Sequence, residues 1–421
     1  MGVKSIAGVL KIIAILGLLY FLVRQKWALS IVLAVCTVAT AVLFLMPPAK
    51  FALTLWGTFT SYDTLKLLWI VAFIEMLSGC LREGGALGKM VESLRGMISD
   101  SRLTMAMLPA LIGFLPMPGG ALFSAPLMEP LADEAGLSPE KKTFVNYWFR
   151  HVWEYTFPLY PGLLLSATVL GVDIKRLIVF QIPLSIAAIV AGAIFGIVGI
   201  KRVPGSDRFS RPLLDQIWMF LEGFWPVLFI VVGIFVIPWQ KILPGIVFDP
   251  LMVFLPVAVI LFGWPTLGTR KFLRTCANYL DFRLPLTILA VLVFKDMINA
   301  SGAVDQLSRT LQGWGVPPLF LFLVLPALIG YLTGITHSFV SVAFPLLMPF
   351  IVGTGGGGAD LSKVQLAYTS GFIGVILSPV HLCLILSNDY FHADLGKVIK
   401  MLYLPVTLLV AVSLVIFFLG R

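Results

Sequence analysis

The chain has 421 residues, of which 59% are hydrophobic and only 12% charged, and its mean hydropathy is +0.99. That balance excludes a soluble globular domain and a disordered one, and describes a polytopic membrane protein. The formal net charge of +9 is no argument for nucleic acid, because the Lys and Arg residues sit in short connections between apolar runs, where membrane orientation places them.

A membrane span needs about 20 apolar residues. Ten such stretches are predicted in chain order, at roughly 5–23, 27–46, 64–82, 143–170, 175–200, 217–238, 248–264, 284–300, 363–390 and 398–419. The first is read as a span and not a cleaved leader, since Lys11 interrupts it and Arg24 and Lys26 follow with no small-residue cleavage site. Two amphipathic pieces, Leu87–Ile98 and Val304–Trp314, are expected to lie along the membrane surface. The four cysteines, Cys36, Cys80, Cys276 and Cys383, are scattered through apolar runs with no metal-ligand spacing and no disulfide framework, so no metal site is expected.

After the third and eighth spans come two apolar stretches that Pro and Gly interrupt. Leu108–Pro130 reads LPALIGFLPMPGGALFSAPLMEP, and Leu325–Pro349 reads LPALIGYLTGITHSFVSVAFPLLMP. The hexamer LPALIG is identical in both. Each stretch is predicted as a re-entrant helical hairpin, at 103–133 and 317–351. Beyond the hairpins a single offset pairs Pro158 with Pro379, Asp173 with Asp394 and Ile178 with Ile399. Spans 1–5 thus correspond to spans 6–10. The fold class that follows is all-α, with a first repeat over 1–200, a polar linker over 201–212 and a second repeat over 213–421. An odd number of spans per half inverts the second repeat. With both termini outside, about two Lys or Arg face inward for each one facing out, as the positive-inside rule requires. The first hairpin then enters from the cytoplasm and the second from outside.

Duplicated breaks at membrane depth are where transporters bind. The fourth span is expected to break at Pro158–Pro161 and the ninth at Ser378–Pro379. The hairpin tips, Pro116–Gly120 and Thr333–Ser338, would face these breaks. Freed helix ends there favour anions, and freed carbonyls and hydroxyls favour Na⁺. The candidate substrate-binding residues are Pro118, Gly119, Gly120, Ser124, Asn146, Arg150, Thr156, Pro158, Thr336, His337, Ser338, Ser378, Pro379 and His381. The coupling candidates are His151, Glu154 and His337. Asn146, Arg150 and Glu154 fall at i, i+4 and i+8, one face of a continuous fourth span. Arg150 reads either as half of a neutralising pair with Glu154 or as the countercharge for a substrate carboxylate. Intramembrane ionisable residues of this kind are functional candidates by default. Glu75 and Asp296 could support coupling ions, but are expected rather to pair locally, Asp296 with Lys295 or another helix. The sequence carries no H-E-x-x-H, no G-x-S-x-G and no phosphate-binding loop, so an enzyme is not expected.

The ten spans, the hairpin Leu108–Pro130 and the stretch Arg150–Pro161 (RHVWEYTFPLYP) resemble the ion-transporter superfamily of gluconate, citrate and dicarboxylate carriers. Within it they are most similar to a prokaryotic integral membrane family of unknown function, number 401. The resemblance implies an elevator-type secondary transporter, homodimeric, in the cytoplasmic membrane. Its expected partners are the lipid bilayer and a small organic anion, with H⁺ or Na⁺ as coupling ion and no other cofactor. Membrane-embedded enzyme, channel and scaffold are the competing readings.

Overall fold

Proline, glycine and short polar caps decide where each helix of this chain starts and stops. In the computed structural model, residues 3–25, 27–115, 119–203, 212–237, 239, 249–352 and 358–420 are described, and the regular structure among them is entirely helical. The first half contains α1 (Val3–Arg24), α2 (Leu29–Leu43), α3 (Pro48–Thr60), α4 (Tyr62–Glu83), α5 (Ala86–Met97), α6 (Ser101–Gly113), α7 (Ala121–Glu134), α8 (Pro139–Arg150), α9 (Pro161–Leu170) and α10 (Ile174–Gly192), which runs on as a π-turn at Ala193–Ile197. The second half runs α11 (Leu213–Phe235), α12 (Leu251–Leu267), α13 (Thr269–Tyr279), α14 (Arg283–Ala300), α15 (Ala303–Gly313), α16 (Pro318–Thr333), α17 (Thr336–Val352), α18 (Leu361–Leu377), α19 (Leu382–Phe391) and α20 (Leu395–Leu419). Among the described residues, the helices of the second series follow an order similar to that of the first.

Among the described residues, Tyr62–Glu83, Ile174–Ile197, Leu213–Phe235 and Leu395–Leu419 are long and apolar enough to cross a membrane, as is Leu361–Phe391 taken through its break. Helices α13 and α14, bent by 43° at their junction, add another. This is a multi-pass membrane protein. One predicted span is shorter than expected. The 27–46 stretch contains only the 15 residues of α2, about 22 Å of helix. Leu45 adopts a φ of 53° and Pro48 restarts the chain as α3, which the sequence reading passed over. Its counterpart α13 was also passed over. Arg270, Lys271 and Arg274 on its exposed face made a helix look like a charged connection.

Matching caps open matching helices. Asp173 and Asp394, paired by the repeat, each accept backbone N–H groups at the start of α10 and α20. Ser138 caps α8 and Asp360 caps α18 in the same way. Packing is exchanged between the halves. Helix α5 packs on α11 and α15 on α1; α2 packs on α14 and α4 on α12; α7 packs on α19 and α17 on α9. A two-fold relation between the halves would produce such reciprocity. Helix α18 is buried continuously from Val364 to Ile376, and α8 from Thr143 to Arg150.

The duplicated hexamer has a packing reason. In both copies its glycine lies against backbone of the broken helix in its own half. A Cβ on Gly113 would sit 2.4 Å from the Arg150 carbonyl oxygen, and one on Gly330 would sit 2.1 Å from that of Gly371. Arg150 and Gly371 are equivalent under the repeat. Close approach of small residues is the main adhesive between helices in lipid, where apolar surface has no water to escape.

Candidate functional site

Both hairpins are present, as α6–α7 and α16–α17, within a few residues of the predicted bounds. Pro116, Met117 and the candidate Pro118 lie outside the described residues. The second tip is Gly334–Ile335, where Gly334 takes the left-handed conformation (φ 64°); Thr336 already belongs to α17. The ninth span breaks where expected, at 378–381 between α18 and α19. The fourth breaks earlier and more widely than expected. Helix α8 ends at Arg150, and 151–160 is turn backbone up to Pro161. Glu154 therefore does not share a helical face with Asn146 and Arg150, as its i+8 spacing predicted. It lies in the break itself.

These breaks and tips meet in one buried polar centre. The Thr336 hydroxyl at the start of α17 donates to Glu154 Oε2 at 2.8 Å, joining the second hairpin to the first half's break. The Tyr368 hydroxyl of α18 donates to the Glu154 carbonyl at 3.0 Å. The imidazoles of His151 and His381 face each other, Nε2 to Nε2, at 3.1 Å. His151 belongs to one break and His381 to the other. His381 Nδ1 lies 2.6 Å from the Gly334 carbonyl oxygen, and Ser378 Oγ donates to the Tyr331 carbonyl at 2.6 Å, so the second tip is tied to its own half's break. Tyr160 is the first half's equivalent of His381, and it makes the equivalent link, its hydroxyl donating to the Gly113 carbonyl.

Arg150 and Asn146 bind the first hairpin into this centre. The Arg150 guanidinium fills the space beside Gly120, where a Cβ would come within 2.3 Å of Nη2. Only glycine there lets the tip approach the charge. Arg150 is 3% exposed and lies within electrostatic reach of Glu154 and Cys383. Asn146 accepts from the Ser124 hydroxyl at 2.6 Å and donates to the Ala121 carbonyl and to Ser387 Oγ. It thus joins the first hairpin to α19. Gly119 (φ 72°) abuts Leu386 of the same helix. An opening beside His151 measures about 10 Å³ and is lined by Trp148, Phe372, Ile376 and neighbours, room for a single water at most. The centre is closed in this conformation.

Several predicted site residues are not brought in. Thr156 pairs with Ser185 of α10 at 2.8 Å. His337 makes no side-chain hydrogen bond among the described residues; its carbonyl accepts from Ser341. Ser338 is fully buried with no partner for its hydroxyl. Pro158 and Pro379 shape the breaks and offer no polar side chain. Asp296 pairs locally, with Lys295 at 3.2 Å and the Thr58 hydroxyl at 2.7 Å. Glu75 Oε2 is buried without a hydrogen bond. Sequence reasoning missed Tyr160, Tyr368, Ser387 and Cys383. The repeat that pairs Tyr160 with His381 was signal enough for the first. Cys383 was passed over because its neighbours in space, His151 and His381, are 230 residues apart from each other in the chain.

The family described as a protein of unknown function (DUF401) matches residues 6–419, nearly the whole chain. The chain belongs to this family. Among curated proteins none matches. Among solved structures this DUF401 member resembles the YdaH transporter of Alcanivorax borkumensis, described as having an unusual topology, with a TM-score of 0.63, 15% identity and coverage of 87% of this chain and 86% of that one. At that identity the shared property is the fold.

Proposed function

We propose that this protein is a secondary active transporter that carries a small organic anion across the cytoplasmic membrane, coupled to H⁺ or Na⁺. The observation that carries the reading is the convergence of two hairpin tips and two helix breaks, one pair from each half, on a single closed polar centre. A pore needs a continuous water path; a carrier needs a centre that both gates can seal. The likeness in fold to the YdaH transporter supports the class.

Arg150 is the countercharge in this reading. A guanidinium held between a glycine tip and the turn at 151–160 needs only that the tip withdraw for it to meet a carboxylate bidentately. Glu154 balances Arg150 when no substrate is present and offers a titratable group for the coupling ion. The two halves are inverted repeats about the centre, 1–200 and 213–421, with both termini outside. Helices α1–α5 and α11–α15 form the fixed scaffold of a homodimer, while the hairpins, broken helices, α10 and α20 move together in an elevator stroke.

The test is uptake of labelled organic acids by reconstituted protein under an imposed H⁺ or Na⁺ gradient. Gradient-driven accumulation of at least one acid is expected. Folded protein that accumulates none across a broad panel refutes the proposal. A membrane-embedded enzyme would instead convert an acid without moving it.

A further inference from the structure

We propose that His151, His381 and Cys383 form a binding site for a thiophilic first-row transition-metal ion, with Zn²⁺ as the reference case. Their ligand atoms all lie within 4.8 Å of one another, and all three residues are buried. The two imidazoles supply the decisive observation. His151 Nδ1 lies 2.6 Å from the Tyr147 carbonyl oxygen, and His381 Nδ1 lies 2.6 Å from that of Gly334. A carbonyl oxygen only accepts, so each Nδ1 must carry the hydrogen. In the neutral rings each Nε2 then presents a bare lone pair, and the two lone pairs face each other at 3.1 Å. Two acceptors at that separation repel unless something positive lies between them or beside both. The Cys383 thiol has one proton for two such nitrogens.

A metal ion answers every part of this geometry. Two histidines bound to Zn²⁺ at 2.0–2.1 Å with a tetrahedral angle hold their nitrogens about 3.3 Å apart. Second-shell carbonyls that take the Nδ1 hydrogen are the usual means of fixing a metal-ligating histidine. Cys383 completes a soft-and-imidazole donor set suited to Zn²⁺ or a copper ion and unsuited to Na⁺ or Ca²⁺. The thiol releases its proton to solution on binding. Glu154 Oε1 lies 3.7 Å from His151 Nε2.

The fold does not require these donors. The repeat places Phe372, Tyr160 and Gly162 where the other half has His151, His381 and Cys383, and each half still interrupts its helix, at 151–160 and at 378–381. A metal here would clasp the first half's break to the second's. The inference stands whether or not an organic anion is carried, because its readout is metal binding.

Full-length protein in detergent, reduced and stripped of metal by a chelator, is titrated with Co²⁺ and then Zn²⁺. The expected result is a thiolate-to-cobalt charge-transfer band and intense tetrahedral d–d bands that saturate at one equivalent per chain and vanish on adding Zn²⁺. Cys383→Ser is expected to abolish the charge-transfer band and weaken Zn²⁺ retention at least tenfold, and His151→Gln to weaken it similarly. Cys276→Ser should change neither. In the unmutated protein, Zn²⁺ should protect Cys383 from alkylation, a measurement independent of how the variants fold. No metal uptake by folded protein overturns the proposal and leaves the imidazole pair sharing a proton. Bands that survive Cys383→Ser and disappear in Cys276→Ser overturn it as well.

Discussion

Single glycines carry a large part of this architecture. A Cβ at position 330 would meet the Gly371 carbonyl at 2.1 Å, and one at 374 would meet the Ala327 carbonyl at the same distance. Backbone cannot yield as a flexible side chain can, so Gly330→Ala and Gly374→Ala are each expected to cost at least ~3 kcal/mol, seen as a fall of many degrees in thermal midpoint in detergent. Gly57→Ala is the contrast: nothing lies within 4 Å of its Cβ and its φ is negative, so a gain of about 0.5–1 kcal/mol is expected within α3. At Arg150 the expectation concerns binding. If it is the countercharge, Arg150→Ala abolishes acid-induced thermal stabilisation. Lys363→Ala, which removes only a surface pair with Asp360 at 3.3 Å, leaves it intact. Equal effects would take Arg150 out of the site. At this scale the sequence was a partial guide. It picked out Arg150, His151, Glu154 and His381 because charge inside an apolar run is legible. It misjudged how Glu154 is presented because helical periodicity assumes a helix that does not stop.

At the scale of elements, breaks are legible where proline or glycine marks them. Pro379 and the tip glycines locate the ninth-span break and both hairpins closely. The fourth-span break runs to Arg150, well ahead of Pro158, and a side chain from elsewhere takes over freed backbone there: the Tyr368 hydroxyl donates to the Glu154 carbonyl. Tertiary partners of that kind leave no local mark. Caps are more transparent. Asp100 opens α6, the first arm of the first hairpin, accepting the Arg102 N–H while its carboxylate pairs with the Arg102 side chain at 2.7 Å. That hydrogen bonding pulls the Asp100 carboxyl down to about 2 from its ordinary 3.8. The stabilisation this gives is complete above pH 4 and fades as pH falls through about 2. The pair is water-exposed, so its size is a few tenths of a kcal/mol. Thermal midpoints between pH 4 and 2 should therefore fall slightly more steeply in the unmutated protein than in Asp100→Asn.

For the whole molecule, the repeat was visible as six identical residues and a few aligned prolines and aspartates. Packing between the halves could not be read from the sequence, since it depends on which surfaces meet in three dimensions. Each half lends a hairpin arm to the other: α17 covers α9, and α7 covers α19. Neither half completes its own interior. Expressed alone, residues 1–203 are expected to aggregate or be degraded. Co-expressed with residues 212–421, the same fragment should be recovered as a stable complex by affinity purification through a tag on either piece. A first half that is stable by itself would show the reciprocal packing to be dispensable.

That reciprocity also governs the order in which the protein can be made. A ribosome finishes α9 and then delivers α10 to α16 before α17 emerges to cover it. At about 5–20 residues per second, the wait lasts roughly ten to forty seconds. Throughout that interval the turn at 151–160, with Arg150 and Glu154, lacks the α17 and α18 groups that later bury it. The nascent chain must be sheltered by the insertion machinery for that long. Slowing synthesis between α10 and α17 should expose that window to membrane proteases, and speeding it should shorten the exposure.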